Sequence, residues 1–321
     1  MNDLVAATAE ASRAAQNRIA SLIYETPLLP SRSIGAETGT NLYFKAENFQ
    51  LTGSFKIRGA TNKMAMMGKG SVAITASSGN HGIASCRAAM LTGAKLTVVL
   101  PETVAPAKLA KIRSYNAEVV LHGQEAGQAE AHALRLAEER GVPYISPYND
   151  ADIIAGQGTI GLELIRQLDH IDAVFISMGG GGLISGVGAV IKTLSPATRI
   201  YGVSARNSAA LAASMVAGRV VEVPHSDTLA DGVAGGVDEG SLTLAIASAV
   251  IDEVIHCSED QIGAAVRAFA LQEGQLVEGA AGLALAGFMQ VSGKLQGQNV
   301  VVLTCGANFD PATILPLILA D

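Results

Sequence analysis

The sequence predicts an α/β protein of two units, each built on a mostly parallel, twisted sheet flanked by helices. Three observations carry that expectation. Short apolar runs alternate with helical patterns from residue 71 to the last buried run at 299–304. Such alternation is βαβ material, with parallel strands covered on both faces. Glycine-rich loops follow two of these runs, at 77–82 and 179–182, and each opens into a helical pattern. Finally, 49% hydrophobic and only 16% charged residues over 321 positions supply enough apolar surface for two cores.

Taken in order, residues 5–23 read as an alanine-rich helix closed by Pro27 and Pro30. Residues 41–47 alternate as a strand. A helical pattern starts at Ser54, with Phe55, Ile57, Ala60, Met64 and Met67 on one side, and Gly68 and Gly70 close it. Strands are expected at 71–75, 95–100, 118–121 and 143–145, with helices at 82–92, 106–115 and 124–140 between them. A polar turn at 148–152 precedes a helix at 156–167. The second half then predicts strands at 173–177, 199–203, 254–257 and 299–304. Its helices fall at 183–194, 208–216, 242–250, 259–273 and 279–289. The polar turn places the unit boundaries: residues 53–147 form the smaller unit, and 1–52 with 148–321 the larger one.

Composition excludes several classes. The formal charge is -7 with no lysine- or arginine-rich block, which argues against a nucleic-acid partner. Glycine is abundant, at 35 residues, but has no three-residue period, so it marks tight turns rather than collagen. Cys86, Cys257 and Cys305 are odd in number and far apart, which suits neither a disulfide framework nor a metal cluster. The N-terminus is charged and helical without an apolar signal core, and no stretch has the length of a membrane span. The expected location is cytoplasmic, with no membrane partner.

Chemistry concentrates in three segments. In Leu51-Thr-Gly-Ser-Phe-Lys-Ile-Arg-Gly-Ala60, Lys56 stands at a helix start among apolar neighbours. It is either a surface charge or a buried amine kept for covalent work. Gly179, Gly180, Gly181 and Gly182 lie between an apolar strand and an apolar helix, where backbone N–H groups and the helix start can hold a phosphate. The dinucleotide and nucleotide-triphosphate signatures are both absent there. Ser77, Ser78, Gly79, Asn80 and His81 form a second strand-to-helix loop suited to a substrate carboxylate. Within it Asn80 is placed to donate to a ring oxygen, and Ser78 to move a proton on the face opposite Lys56. His81 reads either as a base or as a residue satisfying local backbone. Together these segments point to pyridoxal 5'-phosphate held as an imine on Lys56. An amine buried near apolar groups has a lowered pKa and can take an α-proton.

Three further residues or pairs are candidates. After the last strand, Cys305 or Thr304 offers a weak hydrogen bond to a ring nitrogen, leaving it largely unprotonated, or Cys305 is a small buried hydrophobe. Glu278 either faces the cofactor ring or caps the next helix. Asp227 and Asp231, four apart beside Gly232, either hold a hard cation such as Mg2+ or cap a helix.

These motifs, with Thr26-Pro-Leu28, Lys45-Ala-Glu-Asn48, Pro147-Tyr-Asn-Asp150, Ala155-Gly-Gln-Gly-Thr-Ile-Gly-Leu-Glu163 and Ala230-Asp-Gly-Val233, resemble in order the fold-type II pyridoxal-phosphate enzymes, specifically the serine/threonine dehydratase and serine racemase group. The resemblance runs from Thr26 to Asp310. It implies a two-domain, tryptophan synthase β-like fold and a homodimer. It also implies cofactor contacts from Phe55, Lys56, Asn80, Gly179, Gly180, Gly181, Gly182, Glu278 and Cys305. Three segments depart from the usual family pattern, one of them at Asp227, where a longer glutamate is customary. Cys305-Gly-Ala-Asn308 has a thiol where serine is customary, and Glu278-Gly-Ala-Ala-Gly282 lacks the customary proline and hydroxyl. The chain's end soon after Asp310 leads us to expect no regulatory domain and a degradative role.

The activity this implies is a pyridoxal-phosphate-dependent ammonia-lyase, or dehydratase, converting a β-hydroxy-α-amino acid of the L-threonine or L-serine type to a 2-oxo acid and ammonia. Dehydration of threo-3-hydroxyaspartate, a step of hydroxyectoine breakdown, racemisation of serine or aspartate, and non-catalytic metabolite binding are the alternatives.

Overall fold

The computed structural model describes residues 2–319. Its strands are β1 (Leu28–Pro30), β2 (Asn41–Lys45), β3 (Val72–Ala76), β4 (Lys95–Leu100), β5 (Glu118–Leu121), β6 (Ala173–Ser177), β7 (Arg199–Ala205), β8 (Glu253–Cys257) and β9 (Asn299–Leu303). Its helices are α1 (Asp3–Ile19), α2 (Ile34–Thr38), α3 (Lys56–Met67), α4 (Asn80–Thr92), α5 (Pro106–Arg113), α6 (Ala126–Arg140), α7 (Ala151–Gln167), α8 (Gly182–Leu194), α9 (Ala210–Ala217), α10 (Leu242–Val250), α11 (Glu259–Leu271), α12 (Gly279–Val291) and α13 (Pro311–Leu319).

The strands form two sheets. The larger runs β1-β2-β9-β6-β7-β8, and the smaller β3-β4-β5. Every pairing is parallel except β1 with β2. Parallel strands covered on both faces should be apolar throughout, and β6 is buried at every position. The core of the larger sheet is aliphatic, with a few aromatic contacts such as Phe175 stacked on Tyr201 at 4.4 Å between ring centroids.

Several expected elements come out differently. The strand expected at 143–145 is a single parallel bridge between Ile74 and Tyr144. Pro143 has no N–H to extend the ladder, and Pro147 follows shortly. The helix expected at 156–167 begins at Ala151, because Asp150 caps it: Asp150 Oδ1 accepts from Asp152 N at 2.8 Å and Ile153 N at 3.1 Å. The polar turn is thus in part a helix cap. Leu28–Pro30, read only as a helix stop, makes an antiparallel edge strand on β2, a position where proline is tolerated. Helix α13, absent from the sequence reading, packs on α11.

Helix α3, whose first residue is Lys56, is seated on α7. A Cβ on Gly156 would stand 2.5 Å from Gly59 Cα, so the two backbones cross in direct contact. Beside this crossing lies a buried ion cluster from β2, α3, α7 and the segment after β2. Arg58 donates to Glu47 and Glu163, and Lys45 donates to Glu163 at 2.5 Å and to the Thr26 carbonyl at 2.7 Å. Arg58, Lys45 and Glu47 are fully buried. Burial opposes the Glu47 charge, but Arg58 and Lys45 overcome it and hold its carboxyl below the usual range. At Lys45 burial prevails and lowers the amine, against Glu47 and Glu163.

Candidate active site

A cleft of about 920 Å³ is lined by elements of both sheets. It lies outside the carboxyl ends of β3, β6 and β9, where open α/β sheets bind ligands.

Lys56 reaches it from the start of α3. Its Nζ donates to the Pro147 carbonyl at 2.8 Å and stands 5.2 Å from the centroid of the buried Phe55 ring. Burial pushes the amine down to about 8, while Cys305 and Glu278 pull the other way. A lysine so placed can act as a neutral nucleophile and base near physiological pH.

The four-glycine loop joins β6 to α8. Gly181, with φ +90°, is the N-cap of α8, so the first-turn N–H groups behind it have no carbonyl one turn back. Those groups and the helix dipole favour an anion. A Cβ on Gly180 would stand 2.5 Å from the Tyr148 ring, which fixes glycine at that position. Tyr148 OH in turn accepts from Asp238 N at 2.8 Å, and Thr243 Oγ1 donates to the Gly180 carbonyl at 2.6 Å.

The second loop joins β3 to α4. Ser77, Ser78, Gly79 and Asn80 are half-buried and line the cleft, and Ser77 Oγ accepts from Gly79 N at 3.2 Å. Asn80 Nδ2 lies 3.0 Å from both Glu278 carboxyl oxygens, and Asn80 Oδ1 accepts from Asn308 Nδ2 at 2.7 Å. The His81 imidazole turns into the fold: Nε2 lies 2.9 Å from Thr75 Oγ1 and 3.1 Å from the Ile145 carbonyl. Burial, aided by the nearby Lys56 charge, pushes His81 down to about 3, so it stays neutral. Of the two readings of His81, the geometry favours the residue that satisfies local structure.

Glu278 is buried and stands at the N-cap of α12 without capping it. Its carboxyl instead faces Asn80, accepts from Asn308 N at 3.1 Å, and receives the Cys305 thiol at 3.8 Å. Burial pushes Glu278 up to about 7, against the hydrogen bonds from Asn80, Asn308 and Cys305. Burial, with Glu278 alongside, also raises the Cys305 thiol well above its ordinary value, so it remains a proton donor. Asp231 lines the cleft. Asp227 is exposed, and its carbonyl accepts from Asn207 Nδ2 at 2.7 Å. Among the described residues, no group of three or more His, Cys, Asp or Glu is placed to hold a metal ion.

Sequence reasoning missed Tyr148, Asn308 and the Arg58 cluster as working parts. Tyr148 carried a signal, since it stands in the polar turn it was grouped with. Asn308 carried none beyond its motif, because its partners are up to 256 residues away.

The residues present fit pyridoxal phosphate. A buried, nucleophilic amine, an anion cradle stripped of side chains and a thiol donor converge on one cleft, the set a phosphorylated pyridine aldehyde requires. The fold and this cleft therefore define an enzyme that uses that cofactor. A sequence model described as "Pyridoxal-phosphate dependent enzyme" matches residues 19–306, and the chain belongs to that family, in its fold-type II branch. It is 37% identical over 310 residues to the L-threonine ammonia-lyase of Thermotoga maritima, covering 94% of this chain and 76% of that protein. Among solved structures it is similar to the processed form of threonine deaminase isoform 2 from Solanum lycopersicum. That match has a TM-score of 0.93 at 33% identity and covers 99% of this chain and 88% of the other. It is also similar to maize serine racemase, with a TM-score of 0.87 at 32% identity over 95% of each chain. Among the described residues, no helix is long and apolar enough to cross a membrane.

Proposed function

We propose that the chain removes water from a β-hydroxy-α-amino acid of the L-threonine or L-serine type and releases a 2-oxo acid and ammonia. The observation that carries this reading is the Lys56 amine, lowered to about 8 by burial and sharing one cleft with the 77–81 loop and the glycine cradle. Bound pyridoxal phosphate supplies an electron sink for the pair of electrons left when the α-proton departs. Lys56 holds the cofactor and, once released, takes the α-proton. Residues 179–182 hold its phosphate through backbone N–H groups. Ser77, Ser78, Gly79 and the His81 backbone bind the substrate carboxylate, and Asn80 donates to the ring oxygen. Phe55 and Glu278 would line the ring site of the bound cofactor, and the Cys305 thiol would serve as the ring nitrogen's partner. A thiol is a weak partner there, which suits prompt loss of the β-hydroxyl over a long-lived carbanion.

The proposal includes a smaller mobile unit at 53–147, a larger unit at 1–52 and 148–321, a homodimer and a cytoplasmic location. The two separate sheets support the division into units, and sedimentation of the purified protein tests the dimer. Purified protein with L-threonine, L-serine and threo-3-hydroxyaspartate, with and without magnesium, should yield 2-oxo acid from at least one. Lys56→Ala should abolish it. No product from any substrate, with cofactor bound, overturns the assignment.

Racemisation is the second reading. It is favoured by Ser78 in the cleft and the similarity to maize serine racemase. Chiral chromatography of recovered substrate separates the two, since a pure dehydratase leaves no D-isomer.

A further inference from the structure

Asn308 spends every polar atom of its side chain on a different segment. Its Nδ2 donates to the Thr52 carbonyl and to Asn80 Oδ1, both at 2.7 Å, and its Oδ1 accepts from Lys111 Nζ on α5 at 2.9 Å. Its backbone N–H donates to Glu278 at 3.1 Å. The consequence falls on Asn80. An amide has one acceptor end and one donor end, and a donor from Asn308 holds the acceptor end. The Nδ2 end is thereby turned toward Glu278 and the cleft. Reversed, Asn80 would set its carbonyl oxygen against the Glu278 carboxyl and offer the cleft an acceptor.

We infer that Asn308 is a positioning residue: it fixes which end of the Asn80 amide faces the cleft, and through Lys111 it separately holds α5 beside the same site. Helix α5 belongs to the smaller sheet's side of the cleft and Asn308 follows β9 of the larger sheet, so one side chain joins the two walls. The inference rests on the reading of Asn80 as the donor to the cofactor's ring oxygen.

Asn308→Asp isolates the effect, since the shapes match. A carboxylate still accepts from Lys111 but cannot donate to Asn80 or Thr52. The cofactor-loaded N308D protein, without substrate, should show a weaker visible band and a stronger near-ultraviolet one, as expected when the ring oxygen is less able to carry negative charge. N80A should shift the spectrum in the same direction, and N80A/N308D should add nothing further. With substrate, N308D should lose roughly tenfold or more in kcat, with little change in KM. K111M should keep the wild-type spectrum and raise KM by roughly three- to tenfold as α5 unseats.

A wild-type spectrum in N308D overturns the inference, as does a loss of thermal stability alone. Should N308D not take up cofactor, N308A carries the same comparison, because it too leaves Asn80 without its donor. Failure of the dehydratase reading is distinguishable: wild-type protein would then turn over no β-hydroxy amino acid, while the spectral comparison needs only bound cofactor.

Discussion

Arg58 grips Glu47 with two parallel hydrogen bonds, Nε to Oε2 at 2.7 Å and Nη2 to Oε1 at 2.8 Å, and neither side chain touches solvent. Arg58 also holds Glu163, so one guanidinium joins α3 to α7 and to the segment after β2. Breaking a buried pair by removing one partner strands the other charge, at a cost of about 3–5 kcal/mol. Glu47→Gln and Arg58→Met should each lower the unfolding free energy, read from urea denaturation, by that amount. Arg58→Lys should recover only part of the loss, because an ammonium cannot fork. Stability within about 1 kcal/mol of wild type for all three would show that loss of one partner leaves no buried charge uncompensated.

Glu278 makes the cofactor-free protein sensitive to alkali. Its folded pKa of about 7 lies above the ordinary carboxyl value of 4.5, so the folded state binds more protons than the unfolded one between those values. Stability falls as pH rises through that window. Glu278→Gln removes this term. The stability difference, mutant minus wild type, should grow by up to about 3 kcal/mol from pH 4.5 to pH 8, measured by denaturant unfolding of both proteins at each pH.

His81 acts in the opposite direction. Its folded pKa of about 3 lies below the ordinary 6.5, so stability present above pH 6.5 is lost as pH falls toward 3. His81→Asn should flatten that acid limb in thermal melts. It should leave no missing ionisation in the pH–rate profile between about pH 5 and 8, since His81 stays neutral there.

Gly180 tolerates no side chain. A Cβ would sit 2.5 Å from the Tyr148 ring, and relief requires the tyrosine or the cradle to move. Gly180→Ala should cost about 1–3 kcal/mol and weaken cofactor binding, read as a raised Kd in a fluorescence titration. The same change at exposed Gly141, where φ is +61°, should cost stability through backbone strain but leave that Kd unaltered.

The candidate site was legible where function is written as a local run. Lys56 at a helix start, the 77–81 loop and the four glycines each announce strand-to-helix geometry, and the structure brings all three to one cleft. The marks Lys45-Ala-Glu-Asn48 and Glu163 were legible only as pattern. Their physical role is an ion cluster whose members are up to 118 residues apart, a relationship that no window of sequence contains. Helix α7 was read five residues too short, because residues 148–152 look like a polar turn until Asp150 is seen capping the helix.

By itself the sequence determined the α/β class and marked the four-glycine loop and Lys56 as candidates, since strand–helix alternation and glycine-rich turns are set by neighbours along the chain. Only the tertiary structure decided the protonation and aim of the side chains. Lys56, His81 and Glu278 depart from their ordinary pKa values chiefly through burial, and the Asn80 amide is aimed by a residue 228 positions away. Desolvation and long-range hydrogen bonds depend on what folds against a residue, and that is fixed only when the two sheets meet.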